Sequence, residues 1–219
     1  MKVILFGASG MVGQGVLREC LADPGVTEVV AVVRSPLGAD SPKLRQVAHR
    51  DFTDFSAIEG DLAGAQACFF CLGVSSAGMS EQRYSRVTYD YTMAAAYALT
   101  RLNPDMTFIY VSGAGTDPSE QGRIMWARVK GRTENALLKL PLRAFMFRPG
   151  LIRPLHGIRS KTRLYQALYT AARPALGLVG RLWPDAVTST EQLGRAMIRV
   201  AAGGYPRRIL ETRDINAAA

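Results

Sequence analysis

Short apolar runs alternate with longer amphipathic stretches along the first 150 residues of the chain. Most of the runs are apolar almost without a break, as expected of strands that a parallel sheet buries on both faces. They predict strands at residues 2–7, 28–33, 45–50, 67–73, 107–113 and 143–148, of which the run at 45–50 is the weakest.

The stretches between these runs have the periodicity of helices. Residues 13–23 place four apolar side chains on one face and end at an Asp-Pro-Gly turn. Longer helical patterns cover about residues 80–102 and 119–139. Strands that alternate with helices predict an α/β fold with a Rossmann-type doubly wound parallel sheet. Ligands of such sheets bind at the carboxyl ends of the strands.

The pattern changes after residue 150. Prolines and glycines interrupt residues 151–189, around one amphipathic piece whose apolar stripe consists of Leu164, Leu168 and Ala172. A helix with a capping signal follows, and residues near the C-terminus resemble a last strand. We therefore predict a nucleotide-binding core at residues 1–152 and a small C-terminal substrate or lid region at residues 153–219, packed on the same domain.

A glycine-rich turn joins the first predicted strand to the first helix. Its sequence, ILFGASGMVGQG, contains Gly7, Gly10 and Gly13. Glycines in this context permit a sharp turn, let the backbone approach a pyrophosphate, and allow helix and strand to pack closely. Amides at the helix N-terminus then face the phosphates. The predicted site also includes the intervening residues Ser9, Met11 and Val12.

The residue after the second strand distinguishes the two nicotinamide dinucleotides. An acidic residue at this position would bind the ribose 2′-hydroxyl of NAD. This chain has Arg34 and Ser35 instead. A guanidinium suits the 2′-phosphate of NADP, so the predicted cofactor is NADP(H).

The spacing Gly-x-x-Gly-x-x-Gly is similar to that of extended and atypical short-chain dehydrogenases/reductases. Five further segments resemble this family: RDFTDF at 50–55, FFCLG at 69–73, RVTYDYT at 86–92, RVKG at 128–131 and FRPGLI at 147–152. Together they resemble the Tat-interacting-protein-like branch of NADP-binding atypical reductases, which is related to the NmrA-like and epimerase groups. The resemblance covers about residues 2–152.

This resemblance implies cofactor contacts beyond the glycine turn. They are Asp51 and Phe52 beside the adenine, Cys71, Leu72 and Gly73 after the fourth strand, and Pro149, Gly150 and Leu151 after the sixth strand.

The same resemblance assigns Lys130 to the family lysine that binds the nicotinamide ribose and lowers the pKa of a catalytic tyrosine. That tyrosine should lie four residues earlier, one helical turn away, but Trp126 occupies the position. An indole N–H does not act as an acid at neutral pH. Ser112 is the hydroxyl nearest to the family's catalytic serine or threonine, which in many members lies at the positions of Gly113 or Ala114. We name Lys130 and Ser112 as the candidate catalytic residues.

Two functions from different classes remain open. The first is NADPH-dependent reduction of a small carbonyl or unsaturated compound, in which Lys130, an ordered water or another hydroxyl supplies the proton. Tyr84, Tyr89 and Tyr91 are further candidates for the proton donor. The second is a non-catalytic NADP(H)-binding sensor or scaffold, because the dinucleotide loop is kept while the usual tyrosine is missing. The substrate, the reaction direction and the oligomeric state stay open.

Composition narrows the classes of protein to which the chain can belong. The chain has 219 residues, of which 48% are hydrophobic, and no apolar run reaches the length of a membrane span. We expect a cytoplasmic protein, because glycines interrupt the apolar N-terminus.

Cys68 and Cys71 lie three positions apart on a strand, so their thiols should point to opposite faces and be buried and inert. No Cys or His lies near either histidine, so no metal site is predicted.

The net charge of +9 is unevenly distributed. Residues 1–140 carry 14 basic and 14 acidic side chains, whereas residues 141–219 carry 13 basic and 4 acidic ones. This asymmetry indicates an anionic partner for the C-terminal part. Weak peripheral contact of residues 159–183 with an anionic membrane surface is one interpretation. We favour a lid over the nicotinamide end, and we predict no nucleic-acid binding because no recognition element is found.

Overall fold

Seven parallel strands form the central sheet of the structure, a computed structural model that describes residues 1–158 and 184–219. In chain order the strands are β1 (Lys2–Phe6), β2 (Glu28–Val33), β3 (Leu44–Ala48), β4 (Ala67–Phe70), β5 (Thr107–Val111), β6 (Arg143–Arg148), β7 (Leu151–Arg153), β8 (Val187–Ser189) and β9 (Ile209–Glu211). The sheet order is β3-β2-β1-β4-β5-β6-β9, and β7 and β8 pair separately. The predicted Rossmann-type α/β class and all six predicted strands of the first part are confirmed.

Helices cover both faces of this sheet. They are α1 (Met11–Ala22), α2 (Glu59–Leu62), α3 (Glu81–Ser85), α4 (Tyr91–Leu102), α5 (Met125–Leu138), α6 (Thr190–Gly203) and α7 (Thr212–Ala218). A π-helical turn at Arg86–Asp90 joins α3 to α4, so the predicted helix at about residues 80–102 changes its hydrogen-bond pattern within its length.

The apolar strands serve two separate cores, one on each face of the sheet. Val3 and Leu5 of β1 pack with α1 and α6, whereas Ile4 and Phe6 pack with α4 and α5. Because alternate residues of a strand point to opposite faces, a strand buried on both sides is apolar at every position. This explains why the strands appear as continuous apolar runs in the sequence.

The two neighbouring cysteines follow the same rule. Cys68 packs in the core beside α4, and Cys71 packs against the core beside α1, as predicted for thiols on opposite faces. Burial raises the pKa of both thiols above the ordinary value. Both therefore stay protonated at neutral pH.

The start of α5 differs from the prediction. The helix predicted from about residue 119 begins at Met125, because the preceding residues form a loop around the Asp117 carboxylate. This carboxylate accepts hydrogen bonds from the amides of Ser119 at 3.0 Å and Gly122 at 2.7 Å. A Cβ at Gly131 would lie 1.7 Å from the Asp117 carbonyl oxygen, so the loop packs directly on the α5 backbone.

The C-terminal part completes the core. Strand β9 pairs with β6, and α6 packs against α1 where a Cβ at Gly15 would lie 2.5 Å from Cβ of Thr190. The boundary predicted at residue 152 therefore runs through one continuous core. The amphipathic piece around Leu164 and the predicted lid or membrane contact at 159–183 lie outside the described residues. Within the described ranges, no helix has the length and apolar character needed to cross a bilayer.

Candidate functional site

The glycine-rich turn brings the end of β1, the start of α1 and the chain after β4 into direct contact. Gly7 has a φ of +78°, and a Cβ there would lie 2.6 Å from the main chain of Cys71 and Leu72. A Cβ at Gly13 would lie 2.1 Å from the Gly7 carbonyl oxygen. At Gly10 the added Cβ would meet only that same oxygen, at 3.3 Å. Gly7 and Gly13 are therefore needed for packing, whereas Gly10 faces space that the described residues leave open.

The N-terminus of α1 is built to accept an anion. The Gly10 amide donates to the Gly7 carbonyl at 2.9 Å, but no side chain caps the helix and its first turn has no acidic residue. The amides of Met11, Val12 and Gly13 have no acceptor among the described residues. Free amides and the positive end of the helix dipole together favour a phosphate group.

The chain after β4 lies directly against the glycine-rich turn. The Cys71 amide donates to the Phe6 carbonyl at 3.0 Å, which holds the segment beside the glycine turn. Gly73 is exposed, and a Cβ there would meet nothing within 4 Å. This contact lies at the carboxyl ends of β1 and β4, where the order of strands reverses, which is the position at which doubly wound sheets bind ligands.

The ends of β2 and β3 contribute the residues predicted to contact the adenosine. Arg34 is exposed and has no hydrogen-bond or ion-pair partner among the described residues. Asp51 is exposed, and its carboxylate accepts hydrogen bonds from Thr53, which lower the pKa of Asp51. The Phe52 ring instead lies buried in an aromatic cluster, 6.3 Å from the Phe6 ring. Phe52 therefore packs this segment on the core, and Asp51 alone of the two offers a side chain to a ligand.

The chain after β6 lies beside the end of β5. The Pro149 carbonyl accepts a hydrogen bond from the Ala114 amide at 2.9 Å, and the Gly150 amide donates to Thr212 Oγ1 at 2.8 Å. A cavity of about 510 Å³ opens here, and Leu151 lines it with an exposed side chain. Gly113 lines the same cavity, so the predicted residues after β6 lie next to the candidate catalytic region.

Lys130 reaches from α5 back to the end of β5. Its ammonium donates hydrogen bonds to the carbonyls of Ser112 and, at 3.5 Å, Val111. The Nζ atom also lies 6.0 Å from the centre of the Tyr110 ring. Burial lowers the pKa of Lys130 to about 8, and the negative charge of Glu134 opposes this shift. The lysine is thus held at the carboxyl edge of the sheet with a pKa close to neutrality.

Trp126 lies one helical turn before Lys130, as the sequence predicts. Its side chain is half-buried, and its Cη2 atom would lie 3.6 Å from a Cβ at Gly115. The indole therefore packs against the loop that follows β5. It occupies the position of the expected tyrosine without offering an acidic proton.

Ser112 does not present its hydroxyl to the cleft. The residue is buried, and its Oγ donates to Glu134 Oε1 at 2.5 Å, with the Phe147 carbonyl at 3.2 Å as a second acceptor. A hydroxyl has one proton, and these buried acceptors take it. The predicted catalytic role of Ser112 as a proton donor therefore does not fit this arrangement.

Two charged residues that sequence reasoning missed hold this arrangement together. Glu134 is 1% exposed and pairs with Arg148, whose side chain is 11% exposed, at 2.5 Å. Arg148 also pairs with Glu211 at 3.2 Å. One signal was available: Glu134 lies four residues after Lys130, on the same helical face.

The match to known proteins begins at the first glycine of this site. A family model described as NAD(P)H-binding matches residues 7–144. The chain belongs to this NAD(P)H-binding family. The resemblance to atypical short-chain dehydrogenases/reductases is confirmed, and a nicotinamide dinucleotide is the cofactor class of the domain.

Relatives of this NAD(P)H-binding protein are distant in sequence. It is 27% identical over 206 residues to Protein fmp52, mitochondrial, of Emericella nidulans. The aligned region covers 90% of this chain and 85% of the relative. It is 27% identical over 155 residues to Protein HTATIP2 of Rattus norvegicus, which covers 69% of this chain and 62% of that protein.

Solved structures share the fold of the NAD(P)H-binding chain. The Bordetella bronchiseptica enzyme WbmF in complex with NAD+ has a TM-score of 0.69 at 15% identity, with 99% of this chain and 76% of that chain covered. An oxidoreductase of the short-chain dehydrogenase/reductase family from Burkholderia thailandensis has a TM-score of 0.67 at 14% identity, with 100% and 93% covered.

The three tyrosines considered as substitute proton donors are engaged elsewhere in this NAD(P)H-binding domain. Tyr84 is buried. The Tyr89 ring stacks on the Arg132 guanidinium at 4.0 Å, and the Tyr91 ring packs on Phe52 with 5.8 Å between the ring centres. Lys130 is therefore the strongest candidate among the side chains that the sequence singled out.

Proposed function

We propose that the protein is an NADPH-dependent reductase of a small carbonyl or unsaturated compound, in which Lys130 donates the proton. One observation carries the proposal: the Lys130 ammonium lies at the end of β5 with its pKa lowered to about 8. Trp126 and Ser112 offer no proton in its place. A general acid works best when its pKa lies near the operating pH.

The residues present fit a dinucleotide. The amides at the N-terminus of α1 would hold the pyrophosphate, Arg34 would bind the 2′-phosphate, and Lys130 would bind the nicotinamide ribose. NADPH supplies the hydride when it is bound. The Lys130 ammonium donates firmly to the Ser112 carbonyl, whereas its contact with the Val111 carbonyl is long at 3.5 Å, so two protons are available for the ribose and for the substrate oxygen.

We expect Arg34→Ala to remove a preference for NADPH over NADH. A hydrogen bond to a charged group contributes about 1.5–3 kcal/mol, so NADPH affinity should fall by about tenfold or more while NADH affinity stays unchanged. Fluorescence titration of both cofactors measures this. Arg143→Ala is the matched control, because Arg143 is also an exposed arginine but lies at the start of β6, at the edge of the sheet away from the carboxyl ends of the strands. Equal affinity of the wild type for the two cofactors would contradict the assignment.

The pH dependence of turnover tests Lys130 as the acid. Lys130 must be protonated to donate, so kcat should be constant below its pKa and fall about tenfold per pH unit above about 8. Lys130→Arg keeps the positive charge but has no proton to release, since guanidinium stays protonated. This variant should bind NADPH and lose turnover. A wild-type profile that is flat to pH 10 would show that the proton comes from another group.

A non-catalytic NADP(H)-binding protein is the second candidate. Two observations favour it. The Ser112 hydroxyl donates its proton to Glu134, and Trp126 stands where the family has its catalytic tyrosine. The two candidates are separated by steady-state NADPH consumption over a panel of carbonyl and enone compounds. Tight NADPH binding without consumption for any compound would support the non-catalytic function.

A further inference from the structure

Exposed large apolar side chains are concentrated at one edge of the described structure. Val74, Ile124 and Leu151 are 43%, 58% and 45% exposed, and they lie in the segments that connect β4, β5 and β6 to the next elements: Ile124 directly precedes α5, and Leu151 begins β7. These three strands are neighbours in the sheet and run parallel, so their carboxyl ends share one edge. We call these three residues the apolar rim. Lys130 lies at the same edge, so the rim borders the proposed reaction site.

Trp126 lies on α5 between Ile124, two residues before it, and Lys130, four residues after it. The indole packs beside Gly115, while Leu151 lines the cavity formed by Gly113 and its neighbours. Trp126 and Leu151 thus flank the same loop after β5. A half-buried indole offers a large flat face, on which aromatic rings stack favourably.

The charges around the cavity do not favour an anionic ligand. Among the described residues, its lining has the carboxylates of Asp185 and Glu211 and one guanidinium, that of Arg213, and Leu151 is the rim residue that contributes to it. A substrate with several negative charges would meet more acidic than basic groups there. An uncharged ligand has no such penalty, and it gains from burial of apolar surface against the rim.

We propose that the substrate is an uncharged carbonyl compound with an aromatic or other large apolar group, which the apolar rim and Trp126 bind. This inference rests on the proposed reductase function. Bound NADPH would supply the hydride to the carbonyl carbon, the electron pair of the C=O π bond would move to the oxygen, and Lys130 would give that oxygen one proton. The products are the alcohol and NADP⁺, and solvent returns the proton to the lysine.

Binding is tested without turnover by adding NADP⁺, which has no hydride to give. The chain has two tryptophans, so Trp183→Phe leaves Trp126 as the only one. Quenching of its fluorescence then reports naphthaldehyde, compared with the carboxylated naphthaldehyde of the same shape. We expect the uncharged compound to bind about tenfold more tightly, and Ile124→Asp and Leu151→Asp each to weaken it by about tenfold. NADP⁺ affinity should not change.

Tyr97→Asp is the matched control, because Tyr97 is a large exposed side chain on α4, in none of the loops that carry the rim. It should leave naphthaldehyde binding unchanged. Equal binding of the two aldehydes, or rim variants that bind naphthaldehyde normally, would overturn the inference. So would rim variants that change only co-sedimentation with anionic vesicles, since the rim would then be a membrane contact.

Turnover separates this inference from the function on which it rests. NADPH consumption that is faster with small charged carbonyls than with naphthaldehyde would support the reductase function and contradict the apolar substrate. If naphthaldehyde binding depends on the rim but no carbonyl causes NADPH consumption, the reductase function would be contradicted and the apolar ligand site supported.

Discussion

Gly10→Val should abolish dinucleotide binding and leave the protein folded. The backbone at Gly10 has φ −80° and ψ 167°, a β conformation that valine adopts readily. Among the described residues, an added Cβ would meet only the Gly7 carbonyl oxygen, at 3.3 Å, so this part of the protein has room for the side chain with a small shift. The remaining space lies over the free amides of α1, where the pyrophosphate is proposed to bind. The valine would fill that space.

Cofactor titration and circular dichroism together measure this result. We expect no saturable binding of NADPH and an unchanged spectrum. Gly60→Val is the matched control, because a Cβ at Gly60 would meet no described residue within 4 Å and Gly60 lies on α2, away from the turn. Gly13→Val should instead disrupt folding, because its Cβ would lie 2.1 Å from a backbone oxygen. Normal NADPH affinity in Gly10→Val would place the cofactor elsewhere.

Glu134→Ala should lower the free energy of unfolding by about 3–5 kcal/mol. The carboxylate is 1% exposed and is the main partner of Arg148, whose side chain is itself 11% exposed. Truncation would leave a largely buried guanidinium with only the exposed carboxylate of Glu211 as a partner. It would also remove the acceptor of the Ser112 hydroxyl. Removal of one member of a buried ion pair is costly because the remaining charge stays desolvated.

Urea unfolding of the wild type and two variants tests this expectation, provided that the dependence on urea concentration is the same in each. Glu81→Ala removes the partner of Arg128 from an ion pair of 2.6 Å in which Glu81 is 53% exposed. Exposed pairs contribute about 1 kcal/mol or less, so this control should be nearly neutral. A loss of about 1 kcal/mol or less in Glu134→Ala as well would mean that the Glu134 network does not stabilise the fold.

The accuracy of the sequence-based predictions differed between strands and loops. Buried parallel strands are apolar at every position, so six strands were found close to their observed bounds. The start of α5 was missed because the Asp117 carboxylate binds the amides of Ser119 and Gly122. That loop satisfies its own backbone groups, although the same residues have an acceptable helical pattern.

In the candidate site, too, features that depend on one short segment were predicted and features that depend on distant residues were not. The Gly7–Gly13 turn was predictable, because the glycine spacing and the strand–helix context lie within one short segment. The burial of Phe52 was not, since it depends on the rings of Phe6 and Tyr91, which come from other parts of the chain.

The sequence by itself determined the Rossmann-type fold, the dinucleotide loop and the replacement of the expected tyrosine by Trp126. These features depend on residues that are close together along the chain. Only the tertiary structure decided that Ser112 donates its proton to Glu134, 22 residues away, and that Arg148 joins Glu134 to Glu211, 63 residues beyond Arg148. Parallel strands joined by helices bring such distant residues to one edge of the sheet. Side-chain partners at that edge therefore depend on packing across several elements, which local sequence patterns do not specify.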